Sequence, residues 1–452
     1  MNIVPFVHEG LGNSSYLVEL SGSEALLVDP DRSVDRYLRA AEDRALRITA
    51  VLETHLHADF VSGARELAAT LGARVFASAE GHLQFEHHGV KPGERLTLTG
   101  AEMEAVASPG HTPEHLSFVL RSERRPPALF SGGALIAGGA ARTDLIAPDM
   151  TERLTRKLHH TLRHAFSALP DETFLYPTHG AGSFCSAGSG GDRTSTLGVE
   201  RRTNHALQVE SEDEFARWFP TTFPGTPAYY ARMRPINQHG ARLRNEVPVP
   251  PALSPSDFDS ARSRSLVVDV RQRNAYARAH IPGSLSIPFR DAYAVWLGWL
   301  APADAELLFV LNGAPLERVL DESMLVGHER FAGWLEGGLE AWEKEGREVE
   351  RTPLVSAQEA RKTLRSGAVA LDVREPDEVA RGRIEGAIHV PLGDLAQTID
   401  ALPKDRPVVT YCGHGERASS AASILERAGF RDVSNLEGGF AAWRDAGAPA
   451  AR

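Results

Sequence analysis

Two cysteines and three separated histidine clusters hold the residues of this chain whose types and spacing can carry chemistry. Cys412 opens the loop Cys412-Gly413-His414-Gly415-Glu416-Arg417, after the β-rich run Val408-Val409-Thr410-Tyr411 and before a helix predicted to begin near Ala418. A cysteine between a strand and a helix N-terminus has backbone N–H groups aimed at its sulfur. That environment favours the thiolate, and Arg417 closes the loop with a positive charge. The glycines let backbone amides approach the sulfur or its cargo. The histidine clusters are His55-Leu56-His57-Ala58-Asp59, Ser108-Pro109-Gly110-His111-Thr112-Pro113-Glu114-His115, and Tyr176-Pro177-Thr178-His179-Gly180. One such histidine alone is more often a satisfied polar residue than a ligand. Three clusters in turns at strand ends suit a metal with nitrogen and oxygen ligands. Cys185 follows His179 in a Gly/Ser-rich loop and reads either as a thiol placed for chemistry or as an incidental cysteine.

The elements that must position these groups alternate along the chain. Apolar runs with β character occupy Tyr16 to Leu20, Ala25 to Val28, Ile48 to Leu52, Ala73 to Ala77, Glu104 to Ala107, Leu116 to Leu120 and Ala128 to Phe130, with helical spacing from Ser62 to Leu71. Sheets with helices packed outside them follow, an α/β layered fold. Ser183 to Arg202 reads as a Gly/Ser/Thr-rich loop. The stretch from Val247 to Pro255 carries four prolines and reads as the core of a linker over 246–262. Beyond it the chain repeats with a period near 100 residues. Val267-Val268-Asp269-Val270-Arg271 returns as Ala370-Leu371-Asp372-Val373-Arg374, and Leu335-Glu336-Gly337-Gly338 with Trp342 returns as Leu436-Glu437-Gly438-Gly439 with Trp443. Between them, the segment from His280 to Pro288 returns as Arg383 to Pro391. Two copies of a small domain with a mostly parallel sheet are expected, over 263–350 and 356–452, after an N-terminal domain over 1–245.

The bulk properties agree. At roughly 150 residues per domain, 452 residues allow about three. Two cysteines exclude a disulfide scaffold and a four-thiolate zinc site. A net charge of -11 argues against nonspecific nucleic-acid binding. With no basic n-region before an apolar stretch, and no apolar run of membrane-spanning length, a soluble cytoplasmic protein is expected, with no nucleic-acid or membrane partner. A homo-oligomer stays open.

The second copy resembles the rhodanese family of sulfurtransferases over about residues 356 to 450. The resemblance rests on Leu371-Asp372-Val373-Arg374, on Gly386 to Pro391, on the loop from Cys412 to Arg417, and on Glu437-Gly438-Gly439-Phe440 with Trp443. Related phosphatases carry one more residue in that loop, so its length favours persulfide chemistry over phosphoester hydrolysis. The catalytic group implied is Cys412, with Gly413, His414, Gly415, Glu416 and Arg417 as its cradle. In the first copy Asn312 stands where the nucleophile would sit, and an amide cannot carry a sulfane sulfur. That copy reads as a spacer or docking surface.

The N-terminal residues resemble the metallo-β-lactamase superfamily over about residues 1 to 240. Thr54-His55-Leu56-His57-Ala58-Asp59-Phe60-Val61-Ser62-Gly63, Gly180 to Cys185, and Glu200 to Asn204 narrow this to persulfide dioxygenases fused to rhodanese domains. The fold implied is a metallo-β-lactamase αββα sandwich followed by two rhodanese-like α/β domains. The family implies one Fe(II) held by two histidines and a carboxylate, with His55 and His111 at the histidine positions. His57, Asp59 and His179 match positions that bind a second metal in dinuclear relatives, and Cys185 matches a sulfur-relay position. Phe60 replaces a second-metal histidine, which favours a mononuclear site. Gly133, in Ser131-Gly132-Gly133, stands where the family has its aspartate ligand. Asp59 or Asp144 would substitute, water would fill the position, or zinc or no metal would be bound.

The implied activity is persulfide dioxygenase and sulfurtransferase. The substrate is a persulfide of glutathione, coenzyme A or a similar thiol, oxidised by dioxygen to sulfite, and Cys412 exchanges sulfane sulfur with sulfite and thiosulfate. The alternatives are a sulfurtransferase with a non-oxidising N-terminal domain, a glyoxalase II-type thioester hydrolase, and a persulfide sensor.

Overall fold

Side chains along a strand alternate between faces, and that alternation builds the N-terminal half in four layers. The structure, a computed structural model, describes residues 2–122, 125–187 and 191–451. In the strand Asn13–Glu19, Tyr16 and Val18 join one apolar cluster and Leu17 another. In Glu24–Val28, Leu26 and Val28 join the first, Ala25 and Leu27 the second. The first cluster also takes Met103, Ala105, Phe118 and Phe130 from a second sheet, so it is the core between the sheets. The second takes Tyr37, Ala41, Ala64 and Leu67 from the helices Asp35–Glu42 and Ala64–Leu71, which cover the outer face. A third cluster packs Leu158 and Leu162 of the helix Thr151–His164 against Val119 and Leu129. The result is a helix, sheet, sheet, helix sandwich.

The first sheet runs Ile3–His8, Asn13–Glu19, Glu24–Val28, Arg47–Leu52, Arg74–Ser78 and His88–Val90 in space as in sequence. The second runs Ser195–Thr196, Phe174–Pro177, Arg125–Gly132, Leu116–Ser122, Ala101–Ala107 and Arg95–Leu98. The strand Ile3–His8 lacks a clear alternating pattern in sequence, yet pairs with Asn13–Glu19 throughout. Of the Gly/Ser/Thr-rich segment, residues 188–190 lie outside the described residues. The remainder forms short strands at Ser186–Ala187 and Ser195–Thr196 and enters the helix Leu197–Thr203.

The chain divides into two compact units, Met1–Val247 with Asp321–His328, and Pro248–Leu320 with Glu329–Arg452. The second unit holds two parallel five-stranded sheets of the same order. One runs Ala252–Leu253, Phe331–Leu335, Leu307–Val310, Leu266–Asp269, Leu285–Ser286; the other runs Leu354–Val355, Val433–Leu436, Val408–Tyr411, Val369–Asp372, Ile388–His389. The repeated motifs hold this frame. Arg271 Nε and Nη2 clasp the Asp269 carboxylate at 2.9 and 2.6 Å, and Arg374 clasps Asp372 at 2.8 and 2.6 Å. Trp342 and Trp443 each donate the indole N–H to a carbonyl six residues on, of Glu348 and Pro449.

Two expectations change. The segment 246–262 is not simply a linker: Ala252–Leu253 is an edge strand and Pro255–Ala261 a helix. Ser254 caps that helix by accepting from the Asp257 N–H, and proline at its first position needs no donor, so the proline that suggested an extended chain starts a helix instead. The pairing also moves the silent position. Asp269 pairs with Val310 as Asp372 pairs with Tyr411, so Leu311, not Asn312, occupies the place of Cys412. The copy still lacks a thiol.

Phe118 sits opposite both Ala105 and Phe130 in the centre of the sandwich and is fully buried. F118A is expected to destabilise the N-terminal unit by about 3–5 kcal/mol. The check is hydrogen exchange followed by mass spectrometry, with faster exchange across both sheets; unchanged protection would contradict the packing.

Candidate functional site

The loops after Arg47–Leu52, Ala101–Ala107 and Phe174–Pro177 bring His55, His111 and His179 together. Their ring centroids form a nearly equilateral triangle with sides of 4.9, 5.2 and 5.3 Å. One ligand atom from each lies within 4.8 Å of the others. All three are buried.

The partners fix the tautomers. Thr54 Oγ1 donates its proton to Asp29 at 2.7 Å, so it accepts from His55 Nδ1 at 2.8 Å. His111 Nδ1 donates to the Arg142 carbonyl at 2.6 Å. His179 Nδ1 faces the Asp59 carboxylate at 3.1 Å and the Asn13 amide oxygen at 3.4 Å, both acceptors. The Nε2 atoms of His55 and His111 are thereby left as acceptors. The Nε2 atoms of His55 and His179 lie 3.2 Å apart, and that of His111 is buried without a hydrogen-bond partner. Two ring nitrogens this close share either a proton or a metal cation. Nitrogen ligands about 2.1 Å from a metal sit roughly 3.0–3.4 Å apart at tetrahedral or octahedral angles. The three residues thus fit a metal ion. Burial holds the His55 imidazolium well below its ordinary range and pushes the His111 value down to about 3, so both rings are neutral and able to offer a lone pair to a metal.

The other sequence-predicted groups surround this triad. Asp59 braces the His179 ring and also joins His57 and His179 in a metal-compatible group. Burial works against its ionisation, but His179 and the neighbouring histidines hold its carboxyl below the usual value. Although His57 is also within reach of two metal-compatible groups, its Nε2 lies 2.9 Å from Glu53 and 3.4 Å from Asp29. Burial alone would lower its pKa; the two carboxylates push it up to about 10, which makes it an imidazolium. Phe60 stacks on that ring at 4.2 Å. Asp144 stands apart: Arg142 clasps its carboxylate at 2.7 and 2.8 Å, and among the described residues it joins no metal-compatible group. Gly133 has no room for a side chain, since a Cβ there would meet His111 Cδ2 at 2.5 Å and Ala141 Cβ at 3.0 Å. The His111 ring packs where an aspartate would begin.

Sequence reasoning missed the supports. Asn237 donates to the His57 and Phe60 carbonyls at 2.8 Å, and Tyr229 donates to the Asp59 carbonyl at 3.0 Å, which clamps the turn. His115 receives the Gly133 N–H at 3.0 Å and binds Ser108 at 2.8 Å, a fully satisfied residue. Only the position of Thr54 beside His55 could have suggested its role.

In the second unit, Cys412 ends the strand Val408–Tyr411 and is buried. Gly415, with φ +100°, turns the chain into the helix Glu416–Arg427 and donates its N–H to Cys412 Sγ at 3.1 Å. Arg417 is held by Glu378 through two bonds of 2.6 and 2.7 Å. Its guanidinium is held above its ordinary value because the neighbouring carboxylate and the Cys412 sulfur outweigh the cost of burial. Gly413 and Glu416 are half-buried and His414 is exposed. The loop brings together backbone donors, a cation and a thiol, the equipment for holding an anionic sulfur.

Cys185 differs. Its sulfur lies 3.6 Å from the Tyr230 hydroxyl, and burial, with Asp59 adding to it, pushes its thiol well above the ordinary value. Only the thiolate alkylates. Iodoacetamide at pH 7–9 is expected to label Cys412 and leave Cys185 unlabelled until the protein is unfolded, read by peptide mass spectrometry. Labelling of native Cys185 at pH 8 would contradict its burial.

Comparison with known proteins agrees with this geometry. Residues 8–179 match the metallo-beta-lactamase superfamily, and residues 254–345 and 356–446 each match the rhodanese-like domain. The mitochondrial persulfide dioxygenase ETHE1 of Homo sapiens is 29% identical over 42% of this chain and 69% of its own length. The thiosulfate sulfurtransferase GlpE of Pseudomonas aeruginosa is 38% identical over 20% of this chain and 82% of its own. The chain spans only 61% of a hydroxyacylglutathione hydrolase of Synechococcus, at 34% identity over 35% of this chain. A metallo-beta-lactamase crystal structure from Staphylococcus aureus superposes with a TM-score of 0.66 at 30% identity, over 74% of this chain and 98% of that one. Among the described residues no helix is long and apolar enough to cross a membrane. The chain belongs to the fusion family in which a metallo-β-lactamase domain is followed by two rhodanese-like domains.

Proposed function

We propose that this protein oxidises and transfers sulfane sulfur. The N-terminal unit converts a low-molecular-weight persulfide, of glutathione, coenzyme A or a similar thiol, to the thiol and sulfite. Cys412 exchanges sulfane sulfur between sulfite, thiosulfate and thiols. The observation that carries the reading is the set of three buried imidazoles whose ligand atoms converge, in a chain that also holds a donor-lined cysteine loop.

The oxidation balances as RSSH + O2 + H2O giving RSH and H2SO3. Four electrons leave the sulfane sulfur, dioxygen takes them, and water supplies the third oxygen. An Fe(II) held by His55, His111 and His179 would supply dioxygen activation and a site for the persulfide sulfur. The surrounding residues do the positioning. Thr54, Asp59 and the Arg142 carbonyl each take an Nδ1–H, which fixes ring orientation and raises ligand basicity. Asp144 acts one step further out, through Arg142. His57 keeps its proton between Glu53 and Asp29 and stays outside the ligand set, while Phe60 fills the space beside it.

In transfer, the Cys412 thiolate attacks the outer sulfur of thiosulfate. The Sγ–S bond forms, the thiosulfate S–S bond breaks, and its electron pair leaves with sulfite. The reverse step makes thiosulfate. The loop N–H groups and Arg417 stabilise the anionic sulfur.

Gly133 motivates a second reading, a sulfurtransferase whose N-terminal site does not oxidise. The two readings part on oxygen uptake by the iron-loaded chain given glutathione persulfide. Uptake above buffer with iron and none with zinc, which has no redox chemistry, supports the first; no uptake with iron sinks it. H111A and H179A are each expected to lower bound iron at least about tenfold, read by elemental analysis. C412S is expected to lower thiosulfate-to-cyanide sulfur transfer at least about a thousandfold; retained transfer would overturn the role of Cys412.

A further inference from the structure

One charged side chain of the silent rhodanese copy reaches the Cys412 loop of the armed one. Arg273 begins the helix Arg273–Arg278 of the first copy. Its Nη1 donates to the carbonyl of His414 at 2.9 Å, and its Nε lies 3.4 Å from Glu416 Oε1. The side chain is only 18% exposed. At Gly415 a Cβ would meet Nη1 at 2.0 Å, so the absent side chain leaves room for the guanidinium.

The contact matters because of what a peptide plane does. In a trans peptide the C=O of one residue and the N–H of the next point in opposite directions, and the described chain contains no cis peptide. Four consecutive carbonyls of the loop are bound from outside. Cys412 O receives the Phe440 N–H at 2.7 Å, and Gly413 O receives the Ala441 N–H at 3.2 Å. His414 O receives Arg273, and Gly415 O receives the Asn435 amide at 3.1 Å. Each pinned carbonyl turns the following N–H toward the opposite side. For His414 that following group is the Gly415 N–H, the one that reaches Cys412 Sγ at 3.1 Å. Three of the four pins come from the armed copy itself. The one behind the sulfur-bound amide comes from the silent copy and is the only charged one.

We propose that Arg273 is a positioning residue for sulfur transfer: by holding the His414 carbonyl outward it aims the Gly415 N–H at the sulfur carried on Cys412, so the silent copy completes the carrier site. This rests on the reading of Cys412 as the sulfur carrier. Arg273 touches no sulfur. A fixed amide serves the thiolate and the persulfide anion alike, whereas a freely rotating one must be reoriented at each transfer.

The test uses the full chain and the R273M, R273Q and R273K variants, with thiosulfate as donor and cyanide as acceptor. The readouts are kcat, KM for thiosulfate, and the pH midpoint of Cys412 alkylation followed at its peptide. Other titratable or charged groups around the loop are His414, Glu416, Arg417, Glu378 and Glu375, and all are unchanged in the variants. R273M is expected to lower kcat about tenfold, short of the roughly 10²–10³-fold cost of removing an anion-hole donor outright, because the amide remains. KM should stay within about twofold, and the alkylation midpoint should rise by about half a unit or more. R273K restores a donor and is expected to recover most of the loss, with R273Q between the two. The series from R273Q to R273K carries the comparison if R273M does not fold. Variants that match the wild type in kcat and midpoint overturn the proposal, as does R273K as impaired as R273Q. If instead C412S still transfers sulfur, the carrier reading fails and not merely the role of Arg273.

Discussion

The metal-site loops depend on one buried carboxylate. Asp29 ends the strand Glu24–Val28 with φ +48°, a conformation a non-glycine residue adopts only when its surroundings compel it. Its Oδ1 accepts the Thr54 N–H at 2.7 Å, its Oδ2 accepts the hydroxyls of Thr54 and Thr178, and the His57 imidazolium lies 3.4 Å away. An unpaired charge at such depth would cost several kcal/mol. Here hydrogen bonds and an opposite charge offset the desolvation and hold its carboxyl below the ordinary range despite burial. The two hydroxyls belong to the residues immediately before His55 and His179. A single side chain therefore sets the backbone of two of the three histidines, and through the Thr54 hydroxyl it also fixes the His55 tautomer. Loops from the two sheets meet at this point, which is why the imidazoles can converge without a metal-binding segment of their own.

The two rhodanese copies share a frame and differ at the chemistry. The repeated Asp-x-Arg clasp, the closing tryptophan and the paired glycines serve identical structural ends in both. Gly337 and Gly338, like Gly438 and Gly439, adopt positive φ at the start of a helix. At Gly439 a Cβ would strike Cys412 O at 2.3 Å, whereas at Gly338 it would meet Leu311 O at 3.3 Å. The same turn packs tightly beneath the thiol and loosely beneath the leucine. Sequence repetition here records the scaffold, and the site is what breaks the repetition.

That distinction explains how much was legible in the sequence. Alternation made the layered sheets readable in Asn13–Glu19 and Glu24–Val28, because one face meets the second sheet and the other a helix. The Cys412 loop was readable because strand, turn and helix are contiguous in the chain. The edge strand Ala252–Leu253 was not, since pairing with Trp334 and Leu335 forms it and nothing in its own two residues does. The place of Leu311 needed the register as well; counting along the loop pointed to Asn312. In the metal site the histidines were legible as clusters, but not their division of labour. Whether His57 is a ligand or an imidazolium depends on Glu53 and Asp29, and whether Asp144 can reach the triad depends on Arg142. Those are contacts between loops, with no local signal.

The two sites have opposite polarity. The histidine triad offers lone pairs, which suit a cation, and the Cys412 loop offers N–H groups and a guanidinium, which suit an anion. Cys185 lies between these demands. A thiolate there would place a second negative charge beside ionised Asp59 in a region closed to water, and both effects favour the protonated thiol. A neutral thiol is a weaker nucleophile than a thiolate. Cys412, the proposed carrier, is the cysteine whose loop supplies an N–H group and a cation beside a negative charge.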